Sequence, residues 1–87
     1  MGADRTWHVS LETDRDPILP CRVLNTLRRK GAQVRRLALE DHGESFSMSI
    51  LIGLPSGTDP AHLSALLHTM PGARVKESGE WPSSQGV

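Results

Sequence analysis

Histidine, cysteine and carboxylate side chains are the groups in this sequence that could bind a metal or act in catalysis. His62 and His68 share one predicted helix, but they are six residues apart and therefore lie about 240° apart around its axis. They cannot bind one ion from the same helix face, and His8 and His42 lie far from both along the chain. The lone Cys21 excludes an internal disulfide and a cysteine-based zinc site. We therefore predict that the chain has no metal site.

Catalytic groups are equally sparse. Glu12, Asp14 and Asp16 are close in sequence, but no companion acid or metal is apparent that would give them an acid–base role. Most of the serines fall in predicted strands or near the C-terminus, and no Ser-His-Asp or Cys-His order indicates an activated nucleophile. We interpret the carboxylates as charged loop residues and Cys21 as a small buried residue of the first helix. The sequence predicts a protein that is not an enzyme and has no cofactor of its own.

Basic residues form the strongest charge asymmetry in the chain. One interpretation is a solvated helix end beside a strand edge, and the other is a docking surface for an acidic partner or for RNA. RNA-binding sheets carry stacking aromatic residues on the open face of their first and third strands, and this sequence has histidine and serine there. Ten basic and ten acidic side chains also cancel, which disfavours nucleic acid and membranes as partners. The cluster contains Arg22 and five candidate partner-docking residues: Arg28, Arg29, Lys30, Arg35 and Arg36.

The pattern of apolar residues predicts the elements that position these side chains. Alternation over residues 7–13 predicts a strand, and three- and four-residue spacing from Pro20 predicts a helix that closes at Lys30-Gly31. Two further strands follow, separated by the turn at residues 42–44. A second helix begins at Asp59-Pro60, and a short strand comes last. This order, β-α-β-β-α-β, predicts an α+β ferredoxin-like fold with a four-stranded antiparallel sheet and two helices on one face.

The second and third strands differ in how clearly they alternate. In the third strand, apolar side chains alternate with serines, which is typical of a sheet that is buried on one face only. In the second strand, Val34 and Leu37 have opposite parity. A β-bulge at Arg35-Arg36 would bring Val34, Leu37 and Leu39 to the core face.

The chain length and apolar content predict one small domain. With 87 residues and 37% hydrophobic residues, the chain can build one modest core. We expect an N-terminal extension at residues 1–6, a domain at 7–77 and a flexible tail at 78–87. No apolar run reaches about 18 residues and the N-terminus lacks a signal-peptide core, so we expect a cytoplasmic protein.

Three segments carry a resemblance to a known family. They are DPILPCRVL at residues 16–24, LRRKG at 27–31 and VRRLAL at 34–39. The stretch from Trp7 to Glu77 resembles an ACT domain, and it is similar to the small regulatory subunits of acetolactate synthase in their short, single-ACT form. The resemblance implies a homodimer paired through sheet edges and a role as a regulatory subunit of that enzyme. Thiamine diphosphate, FAD and magnesium would then belong to the catalytic partner.

The resemblance also implies an amino-acid site in the loop between the first strand and the first helix. The corresponding residues here are Arg15, Asp16, Ile18 and Leu19. Amino-acid-binding relatives have glycine where this chain has Ile18, and Asp16 adds negative charge near the position of a ligand carboxylate. We therefore favour a degenerate site. A free-standing amino-acid-sensing ACT module and a ferredoxin-like protein-interaction domain remain as alternatives.

Overall fold

The computed structural model describes residues 5–55 and 57–81, and it confirms the predicted order of elements. β1 begins at Arg5 and β4 continues to Glu80, so both strands extend beyond the predicted domain limits of residues 7 and 77. The remainder of the predicted tail, residues 82–87, lies outside the described residues. The elements are β1 (Arg5–Asp14), α1 (Ile18–Arg29), β2 (Gln33–Asp41), β3 (Ser45–Leu54), α2 (Pro60–His68) and β4 (Ala73–Glu80).

The four strands form one antiparallel sheet in the order β2-β3-β1-β4. The two helices pack on one face of it, as predicted. The core lies between the helices and the two central strands, where aliphatic side chains of β3 are fully buried against β1 and both helices. These core residues are Val9, Leu11, Val23, Leu27, Met48, Ile50, Ile52, Leu54, Leu63 and Leu67.

The end of α1 and the start of α2 lie where the sequence predicts them. Gly31 closes α1 with a φ of 85°, a conformation that glycine adopts without strain. At the start of α2, the Asp59 carboxylate accepts a hydrogen bond from the Ala61 amide at 3.0 Å, and Pro60 occupies the first helical position. None of the described helices is long and apolar enough to cross a membrane.

The predicted bulge in β2 is confirmed, but the expected burial of its apolar side chains is wrong. The β2–β3 register shifts between Val34 and Arg36. The shift places three apolar side chains opposite core residues of β3 and therefore on the helix-side face. They are nevertheless 40–49% exposed, because β2 is an edge strand that the two helices leave largely uncovered. The pairs are Val34 with Ile52, Leu37 with Ile50, and Leu39 with Met48.

Cys21 is exposed, which corrects the expectation that it is buried. The buried side of α1 is taken by Leu19, Pro20, Val23 and Leu27. Cys21 lies two positions before Val23 and hence about 200° away around the helix, so its side chain faces away from the core.

Candidate functional site

The β1–α1 loop holds the residues that the resemblance assigns to an amino-acid site. Asp16 lies where a ligand carboxylate would bind, and it accepts hydrogen bonds from the amides at the helix start. The Asp16 carboxylate accepts a hydrogen bond from the Ile18 amide at 3.2 Å, and its backbone carbonyl accepts one from Leu19 at 2.9 Å. Free amides at a helix start are what would attract a ligand carboxylate. Here Asp16 satisfies two of them and adds a negative charge at the same place.

Arg15 is also engaged within the chain. Its guanidinium Nε donates to Asp41 Oδ1 at 3.0 Å, and a second donor, Nη2, reaches Oδ2. The guanidinium carbon lies 5.6 Å from the ring centroid of Phe46, within the range of a cation–π contact. Arg15 therefore connects the β1–α1 loop to the far end of β2 across β3.

This contact changes the acidity of its partners. The Arg15 hydrogen bond, aided by the Gly43 amide at 2.8 Å, lowers the pKa of Asp41 to about 2. The same contact raises the pKa of Arg15 above its ordinary value. Both side chains are about half exposed, so the pair holds the loop without being buried.

The other two loop residues have different surroundings. Leu19 is buried in the core, and a Cβ built on Gly72 would lie 2.9 Å from one of its methyl groups. Ile18 is 52% exposed at the first helical position. The loop thus contains one ion pair to β2, one helix start whose first amide is bound by Asp16, one core residue and one exposed apolar residue.

The basic residues proposed for docking fall on different surfaces. Arg29 and Lys30 are exposed at the end of α1. Arg28 lies over the edge formed by α1 and β2. Arg35 and Arg36 lie at the bulge, and their charged groups are on the opposite side of the sheet. The Arg35 guanidinium lies over Gly53, and Arg36 is paired with Leu51.

A groove between α1 and β2 is the feature that sequence reasoning missed. It has a volume of about 540 Å³, and Leu24, Ala32 and Val34 supply its apolar lining. We call the exposed apolar residues Val34, Leu37 and Leu39 the β2 edge strip. Their alternation indicated burial, and no signal in a single sequence distinguishes burial under a helix from burial against another chain.

The carboxylates near the end of β1 are paired with cations. Glu12 accepts a hydrogen bond from Ser45 Oγ at 2.9 Å and lies within 3.8 Å of Arg74 and Lys76. The Ser45 bond, with smaller contributions from the two cations, lowers the pKa of Glu12. Asp14 contacts Arg74 at 3.1 Å. Within residues 5–55 and 57–81, no three histidine, cysteine or acidic side chains are grouped so as to hold a metal ion.

Solved structures share this fold at low sequence identity. A protein of unknown function from Galdieria sulphuraria matches 90% of this chain with a TM-score of 0.78 and 18% identity, and this chain covers only 45% of its length. The ACT domain of GTP pyrophosphokinase from Chlorobium tepidum matches with a TM-score of 0.69 and 12% identity, over 90% of this chain and 99% of that domain. The C-terminal domain of the MgtC protein from Mycobacterium tuberculosis matches with 0.66 and 14%, over 93% and 89%.

These likenesses establish an ACT-like, ferredoxin-like fold. No protein-family model matches the sequence, and no curated protein matches it significantly. At identities of 11–18% the likeness concerns the fold alone.

The ion pair between Arg15 and Asp41 predicts a specific acid sensitivity. Because the folded-state pKa of Asp41 is about 2 and its ordinary value is 3.8, its contribution to stability is present above pH 4 and is lost as the pH falls towards 2. We expect Asp41→Asn to remove this contribution, so that the free energy of unfolding falls less steeply as the pH is lowered from 4 towards 2. Urea unfolding between pH 2 and 6 measures it.

Glu44→Gln is the matched control, since it removes an exposed carboxylate from the same β2–β3 hairpin. An Asp41→Asn protein with the same pH dependence as the wild type would show that the pair does not hold the loop.

Proposed function

We propose that this chain is a non-catalytic regulatory module that acts by association. Two copies pair along their β2 edges, and the dimer docks on a metabolic enzyme of amino-acid biosynthesis. The catalytic subunit of acetolactate synthase is the partner that the sequence resemblance favours. The observation that carries the proposal is the β2 edge strip beside the groove of α1.

Edge strands normally carry features that prevent pairing, such as prolines, inward-pointing charges or a covering loop. β2 has a bulge at one end, but from Leu37 to Leu39 it presents large apolar side chains on the helix-side face. An antiparallel pair of β2 strands would satisfy the outward backbone groups of both copies and form an eight-stranded sheet. A two-fold axis would place the same residues of both copies in contact.

Apolar burial would contribute to this pairing. Full burial of an aliphatic side chain contributes about 1.5–3 kcal/mol. The strip residues are already half covered, so each gains roughly half of that on pairing. Three residues from each copy, with Leu24 and the backbone ladder, form the apolar centre of an interface, and Arg28 lies beside it.

The β1–α1 loop supports action by association over amino-acid sensing. Asp16 satisfies the helix-start amides, and Arg15 is committed to Asp41. A ligand carboxylate would have to displace the Asp16 carboxylate from the Ile18 amide and break the ion pair between Arg15 and Asp41. The dimer would therefore act by stabilising the active conformation of its partner, and the partner would carry the cofactors.

Leu37→Glu should abolish dimerisation. The substitution places a carboxylate at the centre of the β2 edge strip, where pairing would bury two like charges without partners. We expect a dimer for the wild type and a monomer with unchanged circular dichroism for the variant, measured by light scattering over a range of concentrations. Ala65→Glu, which adds the same charge on the exposed side of α2, should remain dimeric. A monomeric wild type at the highest concentrations contradicts the pairing.

Co-expression with a catalytic subunit of acetolactate synthase tests the partner. We expect a co-purifying complex whose activity is severalfold higher than that of the catalytic subunit alone. Leu37→Glu should reduce this activation because it removes the dimer, whereas Ala65→Glu should not. The absence of both a complex and a change in activity would overturn this choice of partner.

A thermal-shift panel of the twenty amino acids separates association from sensing. A ligand at one hundred times its Kd adds about 2.7 kcal/mol of stability, so a working site would be evident. We expect no shift for the wild type, because the chain's own groups occupy the loop. A clear shift with any amino acid would favour the free-standing sensor instead.

A further inference from the structure

Trp81 lies on the open face of the sheet, opposite the helices. Its backbone amide donates to the Thr6 carbonyl at 2.9 Å, which continues the β1–β4 pairing one step beyond β4. Its ring centroid is 5.8 Å from that of His8, at an interplanar angle of 47°. The residue is held by this backbone hydrogen bond and by the ring contact with His8, yet it remains 39% exposed. Tryptophan is enriched at binding surfaces because it combines a large apolar ring with a polar N–H group.

The side chains around Trp81 form a row across the sheet. His8 on β1 sits opposite Leu51 on β3, and Leu51 sits opposite Arg36 on β2. Ser49 Oγ lies 3.1 Å from His8 Nε2 and fixes the orientation of the imidazole. A cavity of about 140 Å³ lies over this row, and its lining residues are His8, Arg36, Ala38, Ser49, Leu51 and Trp81.

Charge is distributed unevenly over the open face. At the end of the open face that is away from Trp81, Arg74 and Lys76 are paired with Glu12 and Asp14. Near the cavity, Arg36 forms no ion pair within the described residues. Glu77 and Glu80 line a second cavity, which shares His8 and Trp81 with this one but does not include Arg36. The pocket therefore combines an aromatic wall, an apolar floor and one cation.

We propose that this pocket binds a planar aromatic ring that carries an anionic group, as in a nucleoside monophosphate. The ring stacks on Trp81, beside His8 and above Leu51, and the anion accepts hydrogen bonds from Arg36, whose planar fork suits phosphate. A volume of about 140 Å³ lies below the roughly 300–1,000 Å³ of sites for drug-sized ligands. The pocket thus accommodates one ring, with the remainder of the ligand exposed.

The proposal revises the expectation from sequence that nucleic acid is not a partner. That expectation depended on the histidine and serines of the first and third strands and on a net charge of zero. β4 brings Trp81, which the sequence placed in a tail, to the same face. The neutral total charge does not reveal that Arg74 and Lys76 are paired at one end of the open face, whereas Arg36 at the other end forms no ion pair within the described residues.

Titration with AMP followed by ¹H–¹⁵N NMR tests the proposal. We expect shifts at the Trp81 indole and the Arg36 amide, with binding in the millimolar range or tighter. Trp81→Leu should weaken binding about tenfold or more, in the range of measured base–aromatic stacking, and Trp81→Phe should retain most of the affinity. Arg36→Gln should weaken AMP binding about fivefold and leave adenosine binding unchanged. Lys76→Gln, a charge-matched change at the far end of the face, should have no effect.

The control ligands identify what is recognised. Inorganic phosphate alone should produce no shift at Trp81. If a short oligoadenylate binds much more tightly than AMP, the ligand is a single-stranded nucleic acid. If the two bind with equal affinity, the ligand is a free nucleotide. The proposal is overturned if about 10 mM AMP shifts neither residue, if adenosine binds as well as AMP, or if phosphate alone reproduces the shifts. Thermal melts of each variant exclude unfolding as the cause of a loss.

Discussion

The register of β3 is the constraint on which the rest of this fold depends. β3 pairs with β1 along its whole length and with β2 on its other side. The side-chain period of a strand is two, so a slip of one residue would send Met48, Ile50 and Ile52 to solvent and bring the serines into the core. The buried aliphatic face therefore fixes one register, and that register determines what every other strand presents on each face of the sheet.

Both proposed surfaces follow from this register. On the helix side, the bulge in β2 aligns Val34 with Ile52 and Leu37 with Ile50, which continues the core beyond the cover of the helices. On the open side, β3 presents Leu51 between Arg36 and His8. The extension of β4 then brings Trp81 beside that row. One face of the molecule thus carries an incomplete core, and the other carries a small pocket of mixed chemistry.

Local patterns predicted the order of elements, the bulge and the Asp59 cap, because each depends on residues close together in sequence. The exposure of β2 was not predictable, since alternation indicates which face a residue is on and not what covers that face. Cys21 was wrongly predicted to be buried because α1 contains more small or apolar residues than its buried face can hold. The pair of Arg15 and Asp41 spans 26 positions, and the position of Trp81 depends on a strand longer than its pattern indicated. Neither is visible without the three-dimensional pairing.

The central claim is that β2 is the surface through which this module associates, and amide hydrogen exchange measures it directly. In the isolated chain, the β2 amides that point away from β3 have no strand partner and should exchange rapidly. At concentrations that support pairing, those amides should become protected, and dilution should release the protection, while β4 amides remain unchanged. Equal exchange of the outward β2 amides at all concentrations would contradict the account.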